Sequence, residues 1–506
     1  MDDTPLQTGT STGTGTGSGT GSGTTINLSL VSHTNAGKTT LARTLLGRDI
    51  GEVRDAAHVT DIASGHVLVQ SGDDTLMLWD TPGFGDTARL LSRLRMTGNP
   101  IGWMLTQVWD RWRERPLWSS QQAVKNAREQ ADVILYLVNA AEDPAAAPYV
   151  ALEMEVLAWI GKPVLLLLNQ MGPPKENVAA DLRRWESHVG EYAEVAGALP
   201  LDAFARCWVQ EGALLARVAP LLAPEKQPAM AGLAARWMEL NRARFEASME
   251  ALAKPLAQAL ADREPVPTGD WVDQLGATLK AGKGGNREAR KAMEALSHRL
   301  AEGTGTSTSE LIRLHGLDGR ATRKVLERLG DDYKQSEKAS EGFSAVLGGL
   351  MSGAVTGLAA DVMAGGLTLG GGLIVGGILG ALGAGGIAHG INLAKGEEGS
   401  SVRWSEKFFK SLYGAALLRY LAVAHFGRGR GEWEEGEHPQ FWLEFVDSEV
   451  ERQGSALASL YAKGKRTEPG ELESDLVTLL KQSGERLLQR LYPGALTGVV
   501  TASTSD

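Results

Sequence analysis

Residues 26–46 constrain this chain more than any other stretch of its 506 residues. An apolar run, Ile26–Val31, passes straight into Ser32-His33-Thr34-Asn35-Ala36-Gly37-Lys38-Thr39-Thr40, and a helical stretch, Leu41–Leu46, follows. A strand that becomes a helix through such a loop gathers backbone N–H groups at a helix N-terminus, where the dipole favours an anion. This is the phosphate-loop pattern with Ser32 in place of its first glycine. Ser32, Asn35, Ala36, Gly37 and Thr40 then line a phosphate cradle. Lys38 reaches the β- and γ-phosphates, and the Thr39 hydroxyl ligates Mg²⁺.

The residues beyond suit that loop. As far as about Leu222, short apolar runs alternate with helical stretches, as in a mostly parallel sheet covered by helices on both faces. The expected strands are Ile26–Val31, His66–Val69, Leu76–Trp79, Val133–Val138 and Val164–Leu168. The last two are continuously apolar, as central strands buried on both sides must be. The fold class is therefore α/β over residues 26–222, with an insert at 87–120, preceded by a disordered Gly/Thr/Ser leader at 1–25. Beyond it, residues 223–342 read as a helical domain or stalk, 343–394 as a glycine-rich hairpin and 395–506 as a polar helical region.

Two more motifs stand at consistent spacing. Thr60 lies 21 residues beyond Thr39, and Asp80-Thr81-Pro82-Gly83 lies 20 residues beyond Thr60. Asp80, at the end of its strand, can hold Mg²⁺ through the metal's water shell, and the Gly83 N–H can sense a γ-phosphate. Thr60 reads either as a hydroxyl that closes over the metal in one nucleotide state or as a surface hydroxyl.

Together, Ser32–Thr39, Thr60 and Asp80–Gly83 resemble the small-GTPase domains of the Era/TrmE-like class. The stretches Leu30–Arg43, Trp79–Asp86, Ser119–Pro144 and Asp202–Gln210 are similar to one bacterial family of P-loop GTPases whose C-terminal region is domain of unknown function 3482. The resemblance implies GTP and GDP as ligands, Mg²⁺ as cofactor, and Lys38, Thr60 and Asn35 as catalytic residues. It also implies guanine recognition by an Asn-Lys-x-Asp motif, and that place holds Asn169-Gln170-Met171-Gly172. Asn169 stands, but the carboxylate that would accept the guanine protons is missing, which leaves both GTP and ATP open. The next motif falls at Asp202-Ala203-Phe204, where the Ala203 backbone N–H would contribute. Asn35 matches the loop asparagine that helps bind K⁺ in Era/TrmE-like enzymes, often where two such domains meet in a homodimer; otherwise it caps the loop. Phe84 stands where many relatives carry a water-orienting glutamine, so intrinsic turnover is expected to be slow.

Residues 87–120 carry Trp103, Trp109, Trp112 and Trp118 among Arg89, Arg93, Arg95, Arg111, Arg113 and Arg115. They form either an interface that moves with nucleotide state or a helical insert with packed tryptophans and solvated arginines. From Val346 to Ile391 there are 16 glycines in 46 residues, with Gly349, Gly353 and Gly357, and again Gly372, Gly376 and Gly380, at every fourth position. Glycines so spaced form smooth helix faces, and a hydrocarbon surrounding forces such segments into helix. Phe343–Ala360 and Ala364–Ala388 are long enough for a transmembrane-like hairpin turning at Asp361. A soluble buried pair is the alternative.

Charge and cysteine content narrow the setting. A formal charge of -10 opposes nucleic-acid binding by bulk phosphate attraction. Cys207 alone allows no intramolecular disulfide, which suits a reducing compartment. With no export signal legible, the expected place is the cytoplasmic face of the bacterial inner membrane, with lipid as partner. Two other readings stand beside the membrane-associated GTPase: a membrane-inserting or pore-forming protein with negligible turnover, and an ATP-using P-loop protein.

Overall fold

The computed structural model describes residues 23–34, 36–47, 63–96, 98–106, 114–169, 178–201, 207–266, 287–317, 391–396, 399–425 and 440–492. Strands β1 (Thr25–Ser32), β2 (Ser64–Ser71), β3 (Asp74–Asp80), β4 (Val133–Asn139), β5 (Val164–Asn169) and β6 (Val195–Pro200) form a six-stranded sheet in the order β2-β3-β1-β4-β5-β6. β1 pairs in parallel with β3 and β4, and parallel pairing continues through β5 to β6. The edge strand β2 runs antiparallel to β3. All five strands expected from the sequence are present. The sixth, Val-Ala-Gly-Ala-Leu-Pro, lacks the dense Val, Ile and Leu content of the central strands: it is half-exposed, and Gly197 sits at φ 124.

The sheet is covered by α1 (Lys38–Leu46), α2 (Thr87–Leu94), α3 (Pro100–Thr106), α4 (Arg115–Glu129), α5 (Pro148–Ile160), α6 (Val178–Val189) and α7 (Trp208–Val218). The period of two sorts each central strand between two cores. Ile134, Tyr136 and Val138 face α2, α4 and α5, whereas Val133, Leu135 and Leu137 face α1 and α7. That two-sided burial is the reason β4 and β5 are apolar at every position but their last.

A long helix joins the sheet to the C-terminal half of the chain. Helix α8 (Gln227–Ala261) has 35 residues, about 52 Å at 1.5 Å per residue. Its Met230 and Leu233 belong to the sheet's second core, while Phe245, Met249, Leu252, Leu256 and Leu260 lie in a third. Just before it, Lys226 pairs with Asp132 at 2.8 Å and donates to the Thr25 carbonyl at 2.9 Å. Then follow β7 (Glu264–Val266), α9 (Arg287–Leu314), β8 (Ile391–Gly396), β9 (Gly399–Trp404), α10 (Glu406–Ala424), α11 (Gln440–Arg452), α12 (Gly454–Lys463) and α13 (Pro469–Leu491); α9, β9 and α10 to α13 supply residues of the third core.

Two expectations change here. Residues 391–394, assigned to the helical hairpin, begin strand β8, and 399–404 form strand β9 in a sheet of order β7-β9-β8, so the helices expected after Lys395 begin only at Glu406. Strand periodicity places Val402 and Trp404 on one face, and both are buried. The remainder of the glycine-rich stretch, 343–390, and the leader as far as residue 22 lie outside the described residues. Among the described residues, no helix is long and apolar enough to cross a membrane.

The third core contains a histidine that cannot readily take a proton. His315 Nε2 lies 3.3 Å from Ser248 Oγ, with the Tyr420 ring 6.1 Å away. Burial, with the charges of Arg244 and His425 added, pulls its pKa from 6.5 down to about 3. The unfolded chain therefore binds a proton below pH 6.5 that the folded chain refuses, so stability falls as the pH drops from about 6.5 towards 3. Between pH 7 and pH 5 this one group should remove about 2 kcal/mol, at about 1.4 kcal/mol per pH unit once titration is under way. Urea titrations at the two pH values measure it. Replacing His315 by glutamine should flatten the difference, and an equal loss in the variant would assign the acid lability elsewhere.

Candidate functional site

The site is assembled at the carboxyl ends of β1 and β3. Gly37 caps α1 at φ 89 and ψ 22, a left-handed conformation that a side chain would strain. That turn sends Lys38 back over the loop, where its ammonium donates to Ser32 Oγ at 2.8 Å and to the His33 carbonyl at 3.4 Å. Ser32 is fully buried and Lys38 nearly so. Burial lowers the Lys38 pKa to about 8, while the carboxylates of Asp80 and Glu153 oppose the fall. The serine in place of the first glycine is therefore a ligand to the loop's own lysine.

Thr39 and Asp80 meet as the spacing implied. Thr39 Oγ1 donates to Asp80 Oδ2 at 2.8 Å, and Asp80 is buried at the end of β3. A hydroxyl and a carboxylate side by side are hard oxygen donors, the set that Mg²⁺ prefers. Among the described residues, no group of three or more His, Cys, Asp and Glu side chains could hold a metal. Thr40, the next residue, is buried on the first turn of α1, where its carbonyl accepts from Thr44 Oγ1 at 2.8 Å.

The segment after Asp80 lies directly on the loop. A Cβ built on Gly83 would stand 2.9 Å from Thr34 Cα and 3.0 Å from Lys38 Nζ, so only a glycine backbone can approach the lysine this closely. The next residue closes a bridge. Phe84 N donates to the Ser32 carbonyl at 2.9 Å, and the Phe84 carbonyl accepts from Thr34 N at 3.1 Å and from Thr34 Oγ1 at 2.6 Å. The Phe84 ring does not face this site. It is fully buried with Val31, Leu90, Leu91 and Tyr136.

Asn169 stands at the end of β5, beside the phosphate loop. It is fully buried, and its Nδ2 donates to the Ala36 carbonyl at 2.9 Å, which braces the phosphate loop from β5. Ser32, Ala36, Gly37, Lys38, Thr39, Asp80, Gly83 and Asn169 thus come together, with Thr40 on the first turn behind them. Asn35, Thr60 and Ala203, with the K⁺ and guanine roles given to them, lie outside the described residues.

Three residues of the site, Thr87, Tyr136 and Glu153, have no place in the motifs, and they meet His33, a loop position to which the motif gives no role. His33 Nδ1 lies 2.7 Å from Glu153 Oε1, Thr87 Oγ1 donates to the same oxygen at 3.2 Å, and Tyr136 donates to Oε2 at 2.6 Å. The His33 ring also stacks on Tyr149 at 4.3 Å. One signal could have found Glu153: it lies three residues after Val150 and four before Leu157, on the apolar stripe of α5.

In the insert, Trp118 packs against the Phe84 core, Arg95 pairs with Glu155, and Ser120 Oγ accepts from Gly85 N at 3.1 Å. Of the four tryptophans of the insert, Trp118 is the one whose side chain is among the described residues, and it packs on that core, while Arg89 lies 3.7 Å from Glu114. Trp109, Trp112, Arg111 and Arg113 lie outside the described residues.

Comparison with known proteins adds family matches to this geometry. A family model described as "Domain of unknown function (DUF3482)" matches residues 198–482, more than half of the chain. A second, described as "50S ribosome-binding GTPase", matches residues 27–170. No curated protein matches the chain. Among solved structures, Era in complex with MgGDPNP and a segment of 16S ribosomal RNA is 15% identical, covering 58% of this chain and 90% of that one at a TM-score of 0.29. An Aquifex aeolicus Era variant bound to GDP and AlF4⁻ is 14% identical, with 58% and 98% covered and a TM-score of 0.28. The FeoB G-domain from Methanococcus jannaschii is 17% identical, with 35% and 86% covered and a TM-score of 0.21.

Proposed function

The chain belongs to the DUF3482 family, with an Era-like P-loop GTPase domain ahead of that region, and from this premise we propose that it hydrolyses GTP to GDP and phosphate as a conformational switch at the cytoplasmic face of the bacterial inner membrane. One observation carries the reading: Lys38, the Thr39–Asp80 pair and the Gly83 backbone converge on one point at the end of β1.

In this reading Lys38 and the loop amides hold the phosphates and offset the charge that develops on them. Thr39 and Asp80 hold Mg²⁺, which when bound supplies neutralisation of the phosphate oxygens. The Gly83–Phe84 segment is the moving part, because it lies against the lysine that a γ-phosphate must reach. Potassium at Asn35 and pairing of two GTPase domains stimulate turnover, and the glycine-rich stretch 343–390 supplies the lipid contact. The GTPase family description names ribosome binding; the charge of -10 keeps this reading with lipid and protein partners.

The test is displacement of a fluorescent guanine nucleotide by GTP and by ATP, with Mg²⁺ and K⁺ present, followed by phosphate release with and without anionic vesicles. GTP should compete at least about a hundredfold better than ATP, because a site that hydrogen-bonds one base leaves those groups unpaired against the other. Equal competition would make the protein a general nucleotide-gated device. GTP binding with no phosphate release under any of these conditions would leave the membrane-inserting protein with negligible turnover.

A further inference from the structure

Glu153 is fully buried, yet it belongs to none of the nucleotide motifs. Its partners come from three separate elements. His33 stands in the phosphate loop, Thr87 opens the helix that follows the phosphate-sensing segment, and Tyr136 lies in the central strand β4. The first two share one oxygen, Oε1, at 2.7 and 3.2 Å. His33 and Phe84 are also the two sides of the bridge that lays the sensing segment on the loop. Both sides of that bridge are thus tied to one carboxylate, His33 directly and Phe84 through Thr87, three residues further on. Tyr136 holds the other oxygen, so Glu153 cannot follow one partner without straining its bond to the next.

Resting on the GTPase reading, we propose that Glu153 is a positioning residue of the hydrolytic cycle, which couples the phosphate loop to helix α2 through His33 and Thr87. A γ-phosphate held by Lys38 must displace the Gly83 backbone, which draws Phe84 off the loop and moves Thr87 at the start of α2. The shared oxygen converts that local movement into a change in the position of His33 and, through it, of the loop backbone that holds the phosphates. Glu153 touches no substrate atom. Its effect falls on the step after binding, because a diphosphate does not demand displacement of Gly83.

The full-length chain carrying Glu153→Gln, and a second carrying His33→Gln at the half-exposed end of the network, test this. In both, kcat for GTP should fall roughly tenfold, the scale of one lost charge-assisted hydrogen bond, with KM and the affinity for fluorescent GDP within about threefold of the parent. The double variant should be no slower than the worse single one. Hydrogen exchange at the α2 amides of the nucleotide-free chain should quicken roughly tenfold in Glu153→Gln. A folded Glu153→Gln chain with parental kcat, or losses that multiply in the double variant, would overturn the proposal. A parent chain that turns over no GTP would sink the GTPase reading instead; α2 exchange then decides, unchanged exchange in Glu153→Gln overturning the coupling and quickened exchange supporting it.

Discussion

Replacing Lys38 by alanine should reduce single-turnover hydrolysis of GTP by about 10²–10³-fold, the cost of removing one preorganised charge from a phosphoryl-transfer site. Its ammonium is the one described side chain that touches both the Ser32 hydroxyl and the His33 carbonyl while lying against the Gly83 backbone. The variant should stay folded, because taking away a buried ammonium removes a desolvation cost as well as two hydrogen bonds. Phosphate release after rapid mixing with GTP measures the rate, and circular dichroism checks the fold. A Lys38→Ala chain that kept more than a tenth of the parental rate would place the phosphate site elsewhere.

Replacing Phe84 by alanine should lower stability by about 3–5 kcal/mol, because it empties a ring-sized space in a core formed by Val31, Leu90, Leu91 and Tyr136. The more informative change is Phe84→Gln. The position is one where a glutamine orients water in many relatives, so restoring it looks like a repair. The structure argues the reverse. The ring points into the core, and a glutamine there would bury an amide among apolar side chains, costing about 1–3 kcal/mol for its unmet hydrogen bonds on top of the lost packing. Turnover should not rise. Denaturant unfolding gives the stability, and steady-state phosphate release gives the rate. A faster Phe84→Gln enzyme would mean that this side chain reaches the phosphate site during turnover.

Phe84 marks where local reading stops. Along the sequence it is the residue after Asp80-Thr81-Pro82-Gly83, and only its chemistry is legible there. In the fold its backbone pairs with Ser32 and Thr34, and that pairing turns its ring into the core. Asn169 behaves alike. Its motif suggests base recognition, and the packing of β5 beside the loop adds a bond the motif does not announce, from its amide to the Ala36 carbonyl. The glycine-rich stretch met a different limit, since strand periodicity at 391–404 ends it sooner than its composition suggested.

The α/β sheet, the order of its elements as far as β5 and the meeting of Lys38, Thr39 and Asp80 follow from the sequence alone. The strands and the loop are written in contiguous runs whose backbone geometry is set locally, by a strand, a glycine turn and a helix start, and the motif spacing brings Asp80 to Thr39 across 41 residues. The tertiary structure decided which groups become neighbours across long stretches of chain. Glu153 reaches His33 across 120 residues and Thr87 across 66 because α5 packs its apolar stripe on β4 and carries one carboxylate in with it. No local period encodes that contact. It exists only once burial has taken the carboxylate out of water and left His33, Thr87 and Tyr136 as its partners.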